Sequence, residues 1–197
     1  MDSFKKKRLL IIAGDYVEDY EIMVSYQALL MVGHEVCVAC PNKKQGEKIK
    51  TAIHQSEGDQ TFSETPGHNF TLNYSFDDIK PEEFDALIIP GGRCPEYLRL
   101  DKRVLEITQY FLRENKPLAA ICHGIQVLLA AGITGREVCC QRCVIPEVAP
   151  GGAIYKQVDD ITDPVIDGNL VTGVNWRSTP KWLAALLKIL GTEISSK

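Results

Sequence analysis

What this chain lacks narrows its identity before any motif is read. Across its 197 residues no apolar run approaches the roughly 18 residues needed to span a bilayer, so no membrane partner is expected. Its N-terminus has no apolar core followed by a small-residue cleavage site, which argues against secretion and for a cytoplasmic setting. Excess positive charge is also missing: Lys+Arg 22 against Asp+Glu 26 gives a net charge of -4. Nucleic acid and anionic membrane surfaces are therefore not expected partners. The basic run Lys5-Lys6-Lys7-Arg8 reads as the solvated flank of a strand. No internal repeat, low-complexity tract or linker interrupts the sequence, which predicts a single domain over residues 1–197. Seven cysteines form an odd set in a chain too long for a disulfide miniprotein, so free thiols in a reducing compartment are expected.

What is present is an alternation of strands and helices. "RLLIIA" (Arg8 to Ala13) is a continuous apolar run, the pattern of a strand covered on both faces. Glu18 to Met31 reads as a helix, with Ile22, Tyr26, Leu29 and Leu30 as its apolar positions. "GHEVCVAC", "FDALIIPGG" and "KPLAAIC" supply further strands, and Val104 to Leu112 carries helical periodicity. Such alternation predicts right-handed crossovers and a mostly parallel sheet between helices, an α/β class. Gly46 to Ile79 is polar with scattered Gly, Pro and Thr, which suggests a β-hairpin insertion with "FTLNYSF" as one strand. "DPVIDGNLVTG" predicts a hairpin turning at Asp167-Gly168, and Pro180 to Leu190 a closing helix.

Chemistry concentrates at strand ends. "PLAAICHG" places Cys122 where a strand meets a helix, with His123 and Gly124 following at once. In open α/β sheets functional groups gather at the carboxyl edge, and a tight strand-to-helix turn exposes a nucleophile among backbone N–H groups. A helix N-terminus would draw the Cys122 thiol towards thiolate. The competing possibility is a buried structural cysteine; the strand-end position and the His-Gly that follows favour a nucleophile.

Two other segments lie at the same edge. "GDYVEDYE" offers Asp15, Glu18, Asp19 and Glu21 as a general base or hydrogen-bond partner for the thiol, and spacing alone does not choose among them. "PGGRCPEY" brings Gly91 and Gly92, whose backbone can approach a ligand closely and donate to a developing oxyanion.

These residues resemble the PfpI-type branch of the DJ-1/PfpI superfamily. "GDYVEDYE", "FDALIIPGGRCPEYL", "KPLAAICHGIQVLLAAG" and "DGNLVTG" occur in the order that family shows, over almost the whole chain. The insertion is similar to that of the tandem domains of plant glyoxalase III proteins. The resemblance implies a flavodoxin-like, class I glutamine amidotransferase-like sandwich. It implies Cys122 as nucleophile, His123 as its neighbour, and Glu18 as the acid beside the thiol. Gly92 and the His123 N–H would form the oxyanion hole, with Gly91 and Gly92 lining the substrate site. Glu96 matches the glutamate that PfpI-type proteins present to an adjacent subunit, so a homo-oligomer is implied, a dimer or the hexamer common in that branch. The activity implied is glutathione-independent conversion of a small aldehyde, methylglyoxal or glyoxal, to lactate or glycolate. No cofactor and no metal is implied. The same site would serve a protein deglycase or a cysteine peptidase, and an oxidisable cysteine would serve a redox-responsive chaperone or sensor.

The chain also departs from that family. "CCQRC" puts Gln141 and Arg142 where an aromatic and a proline are usual, and Thr179 stands where a histidine is often found. Cys139, Cys140 and Cys143 include a Cys-x-x-Cys spacing without a second ligand pair, so no metal site is expected. Cys94 is expected to line the pocket. His54 and His68, in the insertion, are candidates to line the site or an interface, with surface or structural roles as the default, and Trp176, Trp182 and Tyr155 are expected to be core or interface fillers rather than substrate platforms.

Overall fold

The computed structural model describes residues 5–55 and 60–192. The elements in chain order begin with strand β1 (Arg8–Ile12), the short β2 (Val17–Glu18), helix α1 (Asp19–Met31) and β3 (Glu35–Ala39). A hairpin of β4 (Lys48–Gln55) and β5 (Ser63–Thr71) follows, then β6 (Ala86–Ile89), α2 (Pro95–Leu98) and α3 (Lys102–Arg113). Next come β7 (Leu118–Ile121), α4 (Ile125–Ala130), β8 (Glu137–Val138), α5 (Ile145–Val148) and β9 (Ile154–Tyr155). The chain closes with β10 (Val165–Asp167), β11 (Leu170–Gly173) and α6 (Thr179–Ile189).

Six strands form one sheet in the order β10-β11-β7-β6-β1-β3, parallel except for the β10–β11 hairpin at its edge. The continuous apolar runs do what covering on both faces requires: Leu9 to Ile12 and Ala86 to Ile89 are fully buried. Each large aliphatic side chain so buried contributes about 1.5–3 kcal/mol. On the helical layers, α1 packs against α6, and α3 against α4.

After β1 the chain moves to β3 on one side, then returns to β6 on the other. This reversal makes a topological switch point beside β1, where open α/β sheets place their sites. The carboxyl ends of β1, β6 and β7 are neighbours there, and they lead into the acidic, Gly-Gly and Cys-His segments.

The insertion is a hairpin, but of "FTLNYSF" only Phe70 and Thr71 belong to it, as the paired end of its second strand. Its second strand is β5, which ends at Thr71, while Asn73 to Phe76 turn away into a 3₁₀ turn at Phe76–Asp78. β5 is mostly exposed and polar, so neither alternation nor an apolar run marks it in the sequence; its pairing with β4 holds it. β2 pairs with β4, which fastens the hairpin to the start of α1. All seven cysteines are free thiols. Among the described residues no helix is long and apolar enough to cross a membrane.

Candidate active site

Cys122 leaves β7 with φ 60°, one of four non-glycine residues in the left-handed region among the described residues. Such a conformation costs on the order of 1–3 kcal/mol and marks a turn held by its surroundings. The thiol is nearly buried, at 8% exposure. Backbone N–H groups of Gly92 and His123 point at the sulfur. Gly92 has φ 74°, and a side chain there would strike the backbone of Tyr16 and Glu18. Only glycine brings that N–H to the sulfur, beside the bridge linking Gly92 to Val17.

The structure assigns the four candidate acids to different partners. Asp15 accepts from Lys43 and from the Lys50 N–H. Asp19 accepts from Thr51 and the His68 N–H. Glu18 caps α1 by accepting from the Tyr20 N–H, and its Oε2 lies 2.6 Å from His54 Nδ1. Glu21 alone among them shares the crowded space at Gly91 with the Cys122 thiol: a methyl group on Gly91 would sit 2.9 Å from both Glu21 Oε2 and Cys122 Sγ. The carboxyl that the structure sets against the Cys122 thiol is thus Glu21, while Glu18 faces His54: the N-cap position turns Glu18 towards the hairpin, and one helical turn carries Glu21 under the sheet edge.

Gly91 N–H donates to Glu21 Oε2 at 2.6 Å. That donor therefore serves the acid and not an oxyanion, which corrects the role expected for Gly91. Glu21 is fully buried, and its Oε1 has no hydrogen-bond partner among the described residues. Burial, helped by the charge of Glu18, pushes the Glu21 carboxyl up to about 8 against the hydrogen bonds from Gly91 and Cys122. The thiol is also pushed up, by burial first and then by Glu21, while the Gly92 and His123 N–H groups pull it down. Burial thus outweighs the helix-terminus effect that predicts a thiolate.

His123 stands between two thiols. Its Nδ1 is 3.4 Å from Cys122 Sγ and its Nε2 3.1 Å from Cys143 Sγ. Burial lowers its pKa, opposed by the charge of Glu96, so the imidazole is held towards its neutral form. Glu96 lies on the same cavity in its own chain and pairs with Arg93 at 3.6 Å.

The hairpin supplies one wall of the cavity, with His54 lining it and His68 outside it. His54 bridges Glu18 and Glu64, at 2.6 and 3.0 Å. Phe62 sets its ring edge against His54 and His123, with centroids 6.3 and 6.1 Å away. The cavity over the thiol measures about 470 Å³, and Gln141, Cys143 and Trp176 also line it. Trp176 is therefore a pocket residue, whereas Trp182 is a core filler bonded to the Val171 carbonyl. His68 is exposed and bonded to Asp19. Arg142 is exposed, Cys94 and Thr179 are buried, and none of the three lines the cavity.

This geometry answers to a known pattern. The sequence pattern of the DJ-1/PfpI family matches residues 7–189. The chain belongs to the DJ-1/PfpI family. Protein DJ-1 homolog D of Arabidopsis thaliana is 47% identical over 190 residues, 96% of this chain and 49% of that protein. A Pyrococcus abyssi member of similar length, named a deglycase, is 34% identical over 184 residues, 93% of this chain and 99% of its own. The chain spans about half the length of the Arabidopsis relatives it matches. Drosophila melanogaster DJ-1beta superposes with a TM-score of 0.76 at 22% identity, over 95% of this chain and 92% of that one. The flavodoxin-like, class I glutamine amidotransferase-like architecture of the DJ-1/PfpI family is the fold of this chain.

Proposed function

We propose that this DJ-1/PfpI domain is a glutathione-independent glyoxalase, converting methylglyoxal to lactate and glyoxal to glycolate without a cofactor. The observation that carries this reading is the placement of Cys122 Sγ between Glu21 and the N–H groups of Gly92 and His123. A thiol flanked by a proton carrier and paired donors suits addition to an aldehyde followed by proton transfer between adjacent carbons.

The reacting form has an ionised Glu21 and a neutral thiol. Sulfur adds to the aldehyde carbon while Glu21 takes the S–H proton, and the Gly92 and His123 N–H groups hold the alkoxide. Glu21 returns the proton to that oxygen, giving a hemithioacetal. The Glu21 carboxylate then removes the proton from the former aldehyde carbon; that proton returns at the neighbouring carbon, and the hydroxyl proton of the former aldehyde carbon passes to the neighbouring oxygen through the enediol. A thioester of the 2-hydroxy acid results. Water cleaves it, and the acid and the free thiol are released. The former aldehyde carbon is oxidised and its neighbour reduced, so no external oxidant enters.

A deglycase reading uses the same groups and draws support from relatives with that name and from a cavity roomier than a triose needs. A redox-sensor reading is less favoured, because burial holds the thiol protonated and sulfenic acid formation follows thiolate character. Assembly into a dimer or hexamer, with Glu96 turned to a neighbouring His123, is part of the proposal; it is supported by the resemblance to PfpI-type proteins. The deciding measurement is D-lactate formation from methylglyoxal by purified protein. Turnover abolished in Cys122→Ala upholds the reading; no turnover by the native chain refutes it.

A further inference from the structure

The reacting groups account for only part of the cavity. Its volume of about 470 Å³ falls among pockets of about 300–1,000 Å³ that enclose drug-sized ligands. The charges lining it indicate what the remaining space accepts. Glu21 is held towards its protonated form at neutral pH. Glu18 and Glu64 both hold His54, and Glu96 holds Arg93. Arg177 is left over: among the described residues no carboxylate lies within ion-pair distance of it.

Its position is built. Asn175 accepts from the Arg177 N–H at 3.0 Å and caps the 3₁₀ turn Trp176–Ser178. Ser178 ties that turn to the Ile161 carbonyl at 2.7 Å. The guanidinium stacks on Trp176, 4.8 Å from its ring centroid, and Tyr20 backs the indole at 5.6 Å. A stacked guanidinium keeps its in-plane N–H fork free, and that fork matches a carboxylate.

We infer that Arg177, seated on Trp176, is a specificity-determining residue that recognises an anionic group on the substrate, and that the site favours α-oxo aldehydes bearing a second, carboxylate end. The inference rests on the glyoxalase reading for its chemistry. For 4,5-dioxopentanoate, the aldehyde carbon becomes a carboxylate, the adjacent ketone becomes an alcohol, and water supplies the added oxygen. The product is 2-hydroxyglutarate.

The test compares kcat/KM for 4,5-dioxopentanoate and its neutral methyl ester, in the native chain and in Arg177→Gln, with methylglyoxal as reference. A charge-assisted bidentate contact predicts a native preference for the carboxylate of about tenfold or more. That preference should weaken as salt is raised. Arg177→Gln should bring it near unity, lowering kcat/KM for the carboxylate far more than for the ester or for methylglyoxal, with the melting temperature unchanged, since this exposed side chain supports no core contact. A native enzyme indifferent to the carboxylate, or a preference surviving in Arg177→Gln, overturns the inference. If the native chain turns over none of the three compounds, the glyoxalase reading fails by itself. Calorimetry of Cys122→Ala with 2-hydroxyglutarate then decides: binding lost with Arg177→Gln upholds the anion site, and absent or unaltered binding overturns it.

Discussion

Glu21 and Cys122 meet beneath Gly91. A methyl group on Gly91 would sit 2.5 Å from Cys122 Cβ and 2.9 Å from both Cys122 Sγ and Glu21 Oε2. Acid and thiol thus share one small buried space, closed by a residue without a side chain. Glu18, three positions earlier, lines the same cavity but is engaged by His54.

Exchange of the two acids should therefore have unequal effects. Glu21→Gln nearly preserves shape and can still accept from Gly91, but it no longer moves a proton. Its kcat should fall by about two to four orders of magnitude, the range for a positioned acid/base. Glu18→Gln should retain most turnover, because Glu18 accepts from the Tyr20 and His54 N–H groups rather than serving the thiol, although the single amide oxygen keeps only one of those two bonds. Steady-state rates with methylglyoxal test both. Equal losses would remove Glu21 from its special role.

The same carboxyl sets the pH dependence. Burial raises Glu21 to about 8, and the reacting form needs it ionised. The kcat/KM profile, which reports the free enzyme, should rise with unit slope below about pH 8 and level above it. A profile flat from about pH 6 to 9 would contradict the assignment.

The sheet was legible because its central strands are uninterrupted apolar runs, and no other reading suits "RLLIIA", "ALII" and "LAAI" when both faces are covered. The elbow was legible for the same reason: a buried strand ending on Cys-His-Gly leaves few geometries. The choice between Glu18 and Glu21 was harder, although a signal existed. Glu21 lies on the buried side of α1 with Ile22, Ser25 and Leu29, and an acid in a buried stripe demands a reason. His54, Phe62, Cys143 and Arg177 reach the cavity through contacts distant in sequence. No local pattern announces such contacts; they depend on where the hairpin and the last turn before α6 come to rest.

Gly91→Ala probes the shared space directly. Gly91 does not use the left-handed region, so alanine meets no backbone objection, only the crowding at Cys122 and Glu21. Overpacking of this kind costs about 1–3 kcal/mol. The melting temperature should fall accordingly, and turnover should drop further than stability explains, since both reacting side chains must shift. Recovery of full activity at low temperature, where the variant is folded, would show that the contact is structural only.

His54 should make the hairpin's attachment depend on pH. Burial works to lower its pKa, but the hydrogen bonds and charges of Glu18 and Glu64 win and raise it above its ordinary 6.5. A base with a raised folded pKa contributes stability that is complete below its unfolded value and disappears as pH rises through the folded one. Compared with His54→Gln, the native chain should therefore gain most stability below about pH 6.5. That advantage should shrink as alkali removes the imidazolium and leaves Glu18 and Glu64 facing a neutral ring. Thermal melts of both proteins across this range would measure the difference. An advantage that grows with pH would mean that His54 is held neutral, and that the Glu18–His54–Glu64 bridge is not an ion pair.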